Sequence, residues 1–496
     1  MVLVGADNSQ NQEHSRTKSI KQKIEFIELT ADGGQIDGAS IKQNLNSIKH
    51  TAEIIGYFWR PKRNTNMLQL QNLRDNTKAV LAGLAKRNLK EAEEWVNKAL
   101  ELDKQKRAIQ TDTQERETKL NADSKKIGEL MKGGKTDEAS SLRSQVAQEK
   151  EIIKSNTSRL EAVDKELTQV LYKLPNVPAE RVPAGKTPED NKVEHTWGTM
   201  PKLSDGALPH WELIKKYDII DFELGVKISG AGFPVYKGKG AKLQRALINF
   251  FLSEAEKAGY IEMQPPIVVN EDSGYGTGQL PDKEGQMYFV NADGLYLIPT
   301  AEVPITNLYR DVILTEAELP VKNVGYTPCF RREAGSWGAH VRGLNRLHQF
   351  DKVEIVQITK PEDSYKTLED MCQHVQGLLE KLELPYRKLL LCGGDMGFNS
   401  ALTFDMEVFS AAQQRWLEVS SVSNFETYQA NRLKLRYKNK EGKTQLLHTL
   451  NGSALALPRI VAAILENNQT PEGINIPKVL VPFTGFEKIG WNPSPL

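Results

Sequence analysis

Five short segments set chemically capable side chains beside β-rich runs: Thr300-Ala301-Glu302, Arg331-Arg332-Glu333, Gln349-Phe350-Asp351-Lys352-Val353-Glu354, Glu418-Val419-Ser420-Ser421, and Asn451-Gly452-Ser453 followed by Arg459. Each alone is weak. An Arg and a Glu two apart on a strand commonly form a surface ion pair, and a lone strand Glu is commonly the solvent-facing half of an alternation. Together they supply arginine forks for polyphosphate, carboxylates for an ammonium or a divalent cation, and a phenylalanine able to stack on a base. Those are the parts of a site for ATP and an amino acid.

The elements that must position these groups read as a mixture of helix and strand. Helical segments such as 243–258 alternate with β-rich runs at 321–328, 352–358 and 416–422, too unevenly spaced for a doubly wound sheet. An α+β catalytic domain over 192–496 is expected, with no internal repeat. Before it, Pro175, Pro178, Pro183, Gly185 and Pro188 mark 176–191 as a linker.

Upstream, the pattern turns helical. Trp95, Ala99, Leu102, Ile109, Leu120, Ile127 and Leu130 fall on one three-and-four seam, interrupted by Lys106, Thr113, Arg116 and Asp123. After Gly133-Gly134 the seam resumes through Ala139, Leu142, Val146, Ile153, Leu160, Val163, Leu167, Val170 and Leu174, with Glu149 and Asn156 out of step. A glycine-bearing turn between two such limbs predicts a long antiparallel helical hairpin, a coiled-coil arm of roughly 60 Å at about 1.5 Å per residue. Its turn carries Lys125, Lys126, Lys132 and Lys135, a positive tip suited to an anionic partner. Residues 1–66, rich in Ser, Asn, Gln and Lys, read as an N-terminal extension of unassigned role, and Met67 opens the better-patterned part.

Composition bounds the rest. With 65 Lys+Arg against 64 Asp+Glu among 496 residues, any RNA contact must be locally patterned rather than global. Cys329, Cys372 and Cys392, without a C-x-x-C pair, build neither a disulfide framework nor a four-thiolate zinc site, and a reducing compartment is expected. No apolar run approaches 18 residues and no leader is legible at Met1, so a cytoplasmic protein with no membrane partner is expected.

The spelling and order of several segments resemble bacterial-type seryl-tRNA synthetase, a class II aminoacyl-tRNA synthetase, from Met67 onward. They are Gly278-Gln279-Leu280-Pro281, residues 298–304 (IPTAEVP), 329–335 (CFRREAG), 348–354 (HQFDKVE) and 448–453 (HTLNGS). The resemblance implies an antiparallel sheet flanked by helices, preceded by a domain at 67–175 whose arm grips tRNA(Ser), with tRNA(Sec) a second candidate. It implies ATP-dependent activation of L-serine to seryl-adenylate and transfer to the tRNA 3′ end, with Mg²⁺ accompanying ATP, no zinc, and a homodimer built on a motif 1 running from 240–243 through 259–260 to 265–266.

Residue by residue, Arg331 and Arg459 resemble the catalytic arginines of motifs 2 and 3, on the α- and γ-phosphates respectively. Arg331, Arg332, Glu333, Phe350, Glu418, Val419, Ser420, Ser421 and Arg459 match the ATP site, with Glu333 near the adenine amino group and Phe350 stacked on the base. Thr300, Ala301, Glu302, Arg331, Glu354, Asn451 and Ser453 match the serine site, and Glu418 and Ser421 match the Mg²⁺ pair. Two departures stand out: a less polar motif 2 loop, Ser336-Trp337-Gly338-Ala339-His340-Val341, and Ala456-Leu457-Pro458 before Arg459. Val422 stands where a cysteine is common. An inactive, RNA-binding paralogue is the alternative reading.

Overall fold

The computed structural model describes residues 69–333 and 341–490, so the 1–66 extension and residues 336–340 of the motif 2 loop lie outside the described residues. Two short helices, Leu70–Asp75 and Thr77–Ala85, lead into α1 (Ala92–Lys132) and α2 (Thr136–Leu171). No proline interrupts the chain between Pro61 and Pro175, and straight-chain helix formers dominate both limbs. The 41 residues of α1 span about 60 Å. At the turn, Gly134 takes φ +74°, a conformation with little cost only for glycine.

The expected seam is the contact between α1 and α2. Ala99, Leu102, Ile109, Ala139, Val146, Leu167 and Val170 are buried, while Leu120, Ile127, Leu142, Ile153 and Leu160 are half-buried because two helices alone cannot enclose them. Trp95 differs from the expectation. It lies half-exposed beneath Lys173 Nζ, and Val96 takes the fully buried position.

Four of the seam's six polar interruptions, Lys106, Arg116, Glu149 and Asn156, are met across the hairpin. Arg116 donates to Asp112 (2.9 Å) and to Glu149 (2.8 Å), Lys119 reaches Glu149 at 2.9 Å, Asn156 donates to Asp112 at 2.6 Å, and Lys106 pairs with Asp164.

Residues 175–191 are irregular but tightly held. Asn176 Nδ2 donates to Asn399 O and Phe425 O, both at 2.9 Å, and Ala179 N donates to Ala401 O at 2.8 Å. The root of the arm is thereby fixed to one end of the main sheet.

That sheet has eight strands: β1 (Lys192–Trp197), β2 (Ile261–Glu262), β3 (Val321–Phe330), β4 (Gln349–Thr359), β5 (Tyr386–Leu390), β6 (Leu402–Ser410), β7 (Arg415–Asn424) and β8 (His448–Ala456), in the order β1-β5-β6-β7-β8-β4-β3-β2. All neighbours are antiparallel except β2 with β3. Helices α3 (Gly238–Lys257), α4 (Ser364–Lys381) and α5 (Leu457–Asn467) pack against it around one large core. β4 is buried from Lys352 to its end, as expected of a strand covered on both faces. Helix α5 opens with Pro458 in its first turn, where the missing N–H costs nothing, so that departure leaves the helix intact. No described helix is long and apolar enough to cross a membrane.

Candidate active site

A cleft of about 590 Å³ opens over β4, β7 and β8. Thr300, Glu302, Arg331, Glu333, Phe350, Glu354, Glu418, Val419, Ser420, Ser421, Asn451, Ser453 and Arg459 line it, although they come from segments up to about 160 positions apart. Alternation explains much of this. Phe350, Lys352 and Glu354 are every second residue of β4 and share its cleft face. Register supplies the rest: Glu354 pairs with Ser453 across β4 and β8, and Ser423 pairs with Asn451 across β7 and β8.

Glu418 and Ser421 are three apart, which in a regular strand would point them to opposite faces. Between Met406–Ser420 and Glu407–Glu418 the ladder slips by one residue at Val419. This bulge turns both Glu418 and Ser421 toward the cleft.

One end of the cleft is a cluster of buried charge. Glu354 accepts from Asn451 Nδ2 at 3.0 Å, from Ser453 Oγ at 3.3 Å and from Lys352 Nζ at 2.6 Å. Glu302 is buried beside it and accepts from Gln429 Nε2 at 2.7 Å, while its backbone N–H donates to Thr300 Oγ1 at 3.2 Å. Loss of water, and then the charge of Glu354, push the Glu302 carboxyl up to about 7. Lys352 is bonded to Glu354, and its charge and that of Arg331 only partly offset the burial of Glu302.

The other end is arranged around the arginines. Arg331 Nε donates to Pro299 O at 3.4 Å, and its guanidinium lies 5.2 Å from the centre of the Phe350 ring. Phe350 packs on the core with one side and lines the cleft with the other, so its ring is available for stacking. Arg459 is held by Asn345 O at 3.1 Å and Glu418 O at 2.6 Å, with its guanidinium 3.6 Å from the Glu418 carboxylate. Glu333 adopts φ +49° and pairs with Arg346. Ser421 Oγ donates to the buried Asp405 at 2.6 Å; burial, and then Glu418, push the Asp405 carboxyl well above its usual range.

Two expected residues stand apart from the cleft wall. Ala301 is fully buried against Ile305 and Val356, and exposed Arg332 lies over the Tyr288 ring at 5.8 Å. Four others were given no role by sequence reasoning. Lys352 and Arg346 stand in the cleft wall, whereas Gln429 and Asp405 act from behind it. Alternation with Phe350 and Glu354 was a readable signal for Lys352. Gln429 and Asp405 carried none, since each acts on a residue that only folding brings near. Cys329, Cys372 and Cys392 are buried free thiols.

An antiparallel sheet flanked by helices, with one arginine just past a strand and another on a helix lining the same cleft, defines the class II aminoacyl-tRNA synthetase core. Residues 288–468 match the tRNA synthetase class II core domain of the G, H, P, S and T group, and residues 67–178 match the seryl-tRNA synthetase N-terminal domain. Serine–tRNA ligase of Salinibacter ruber is 48% identical over 426 residues, covering 86% of this chain and 99% of its own, and that of Methylacidiphilum infernorum is 48% identical over 425, covering 84% and 97%. Seryl-tRNA synthetase of Pyrococcus horikoshii, solved with ATP, superimposes with a TM-score of 0.80 at 32% identity, covering 86% of this chain and all of its own. The chain belongs to the serine–tRNA ligase family, whose members are aminoacyl-tRNA ligases.

Proposed function

We propose that the chain activates L-serine with ATP to seryl-adenylate and transfers the seryl group to the 3′ end of tRNA(Ser). The observation that carries this reading is the pair of buried carboxylates, Glu302 and Glu354, beside Lys352 and Arg331. Such a pocket suits a ligand with an ammonium, a hydroxyl and a carboxylate. Glu302 and the Thr300 hydroxyl receive the ammonium, with Ala301 setting the backbone between them. Glu354, held by Asn451 and Ser453, accepts a hydrogen bond from the serine hydroxyl. Alanine would leave that acceptor unpaired in a buried site, a strong ground for rejection, while threonine is excluded by the walls.

The serine carboxylate then faces Arg331. Its oxygen forms a bond to the α-phosphorus as the bond to pyrophosphate breaks, and no side-chain nucleophile is required. Arg331 neutralises charge on the α-phosphate and orients the carboxylate, a combination of positioning and electrostatic stabilisation. Arg459 holds the γ-phosphate, Phe350 stacks on the adenine and Glu333 meets its amino group. Arg332 gives ATP a more distant charge, and Val419 and Ser420 form the strand wall behind the phosphates.

The Glu418 carboxylate and Ser421 hydroxyl are hard oxygen donors on one face, and they fit a Mg²⁺ that arrives with ATP. Bound there, Mg²⁺ would shield the phosphate oxygens. Among the described residues no three His, Cys, Asp or Glu cluster to hold a metal. No zinc enters this reading.

The arm, with exposed Lys125, Lys126, Lys132 and Lys135 at its tip, is the surface for tRNA(Ser), and tRNA(Sec) is a second substrate to test. Edge strand β2, with Ile261 63% exposed, and α3 form the interface of a homodimer. The cytoplasm is the compartment in which these substrates meet. Domains at 67–175 and 192–496, joined by 176–191, divide tRNA binding from catalysis.

Amino-acid-dependent ATP–pyrophosphate exchange on the purified chain tests the reading without tRNA. Serine is expected to support exchange well above threonine or alanine, and Arg331→Ala to reduce it by about 10³-fold. Absence of exchange with serine and Mg²⁺ would sink it in favour of an inactive paralogue.

A further inference from the structure

The cleft continues past the serine pocket, to groups that activation of serine does not use. Strand register gives the direction. β7 runs from Glu418 through Ser421 and Ser423 to Asn424, which pairs with Leu402 at the start of β6, and Ala401 N donates to Asn424 O at 2.8 Å. Residues 397–400, which lead into β6, therefore wall the end of the cleft opposite Arg459, about 20 Å along the strand from Glu418.

At that end Lys283 Nζ lies 3.4 Å from the centre of the Phe398 ring, and among the described residues it has no hydrogen bond or ion pair. Partial burial, and then the charge of Arg432, lower its pKa to about 8, as expected of a cation short of counter-charge. Beside it, Asn399 gives Nδ2 to Thr277 O at 2.8 Å and leaves Oδ1 buried without a donor. The Asn399 amide packs so closely on Gly278 (φ +87°) that a Cβ there would lie 2.5 Å from Oδ1. A partly desolvated ammonium therefore stands at the edge of the reaction site, carried on the Phe398 ring and backed by the tight Asn399–Gly278 contact. It matches a phosphodiester.

We propose that Lys283, held in place by Phe398, seats the backbone of the 3′-terminal nucleotides of the tRNA for the second step. This rests on the activity proposed above. The two anions of the first step are served elsewhere, the polyphosphate by Arg459 and the serine carboxylate by Arg331, so the anion left for Lys283 is the RNA backbone. Lys283 makes and breaks no bond; its charge positions the terminal ribose against the seryl carbonyl.

The test uses the full chain, ATP, serine and a tRNA(Ser) transcript, with Lys283→Gln and Lys283→Arg. Two rates are compared: serine-dependent pyrophosphate exchange without tRNA, and single-turnover transfer from seryl-adenylate formed on the enzyme. Lys283→Gln is expected to slow transfer about tenfold and to weaken its salt dependence, with exchange changing by less than about twofold. Transfer by the unsubstituted chain should decline as pH rises through about 8 and Lys283 loses its proton. Lys283→Arg, charged throughout, should restore the neutral rate and remove the decline. Equal losses in exchange and transfer would overturn the proposal and make Lys283 a wall of the serine pocket. Unchanged transfer in Lys283→Gln would overturn it outright. Failure of exchange in the unsubstituted chain is a different result, seen before any tRNA is added, and it would reject the activity itself.

Discussion

Along the arm, Asp112 sits against Arg116, and Glu149 against Lys119 and Arg116, and these cations hold both carboxyls below their usual range. In the cleft, Glu302 and Asp405 have lost water without gaining enough positive charge, and both titrate above it. The residue types are alike; the difference lies in what completes them. On the arm the breaks at Lys106, Arg116, Glu149 and Asn156 find partners in the other helix, and Thr113 bonds back to Ile109 O. In the cleft the partners are incomplete, and the deficit matches a zwitterion. Unpaired charge in a buried place, rather than charge as such, separates a binding site from a solvated structural pair.

The signs of pH dependence follow. Lowered carboxyls such as Asp112 and Glu149 contribute stability that is present above the unfolded carboxylate pKa and is lost as pH falls through their lowered folded values. Glu302, raised to about 7, runs the other way: the unliganded fold binds its proton more tightly than the unfolded chain and is weakened as pH rises from about 4.5 to about 7.

The sharpest way to break the comparison is to separate the two regions. Excising the outer arm at 113–155 and closing it with a short glycine-serine turn should reduce tRNA(Ser) charging by about 10³-fold or more, with pyrophosphate exchange within about twofold. Parallel losses in both assays would mean that arm and cleft are one functional unit.

Glu354→Ala comes next, because it leaves Lys352 buried without its carboxylate. Serine-dependent kcat/KM should fall about 10²-fold, and chemical denaturation should register a loss of about 3 kcal/mol. A stable variant with normal serine kinetics would contradict this account of the buried pair.

For Glu302→Gln the expected rise in the serine KM is about tenfold at pH 8, read from exchange kinetics. In the unsubstituted chain KM should climb as pH drops below about 7, because the protonated carboxyl no longer attracts the ammonium. The variant should lose that climb; a profile identical to the parent would assign the titration to another group.

The smallest effect belongs to the arm. Replacing both Asp112 and Asn156 by Leu removes that donor and acceptor together and leaves Arg116 its bond to Glu149, and the thermal midpoint should move by less than about 2 °C. A drop of about 10 °C would show that this pair matters as much as the groups in the cleft.

How much was legible follows the range of each interaction. The arm was readable because a three-and-four seam and a Gly-Gly break are local signals, and only Trp95 misled, since its large ring could lie across the edge while Val96 filled the interior. Strands at 321–330, 349–359 and 415–424 appeared as β-rich runs but came out longer than expected, because neighbouring strands supply hydrogen bonds to residues of indifferent propensity. Site residues were legible through spelling, which is how Arg331, Glu354 and Arg459 were picked out. Nothing in that spelling revealed the bulge at Val419 that turns Glu418 and Ser421 to one face.

By itself the sequence determined the arm, the order of helices and strands, the family, and many of the side chains that line the cleft, because these depend on period, turn residues and residue type. The tertiary structure alone decided which charges are left incomplete. Gln429 reaches Glu302 across 127 positions, and Ser453 reaches Glu354 across 99. Both contacts exist only after strand register and burial have removed the water that would otherwise have satisfied each group.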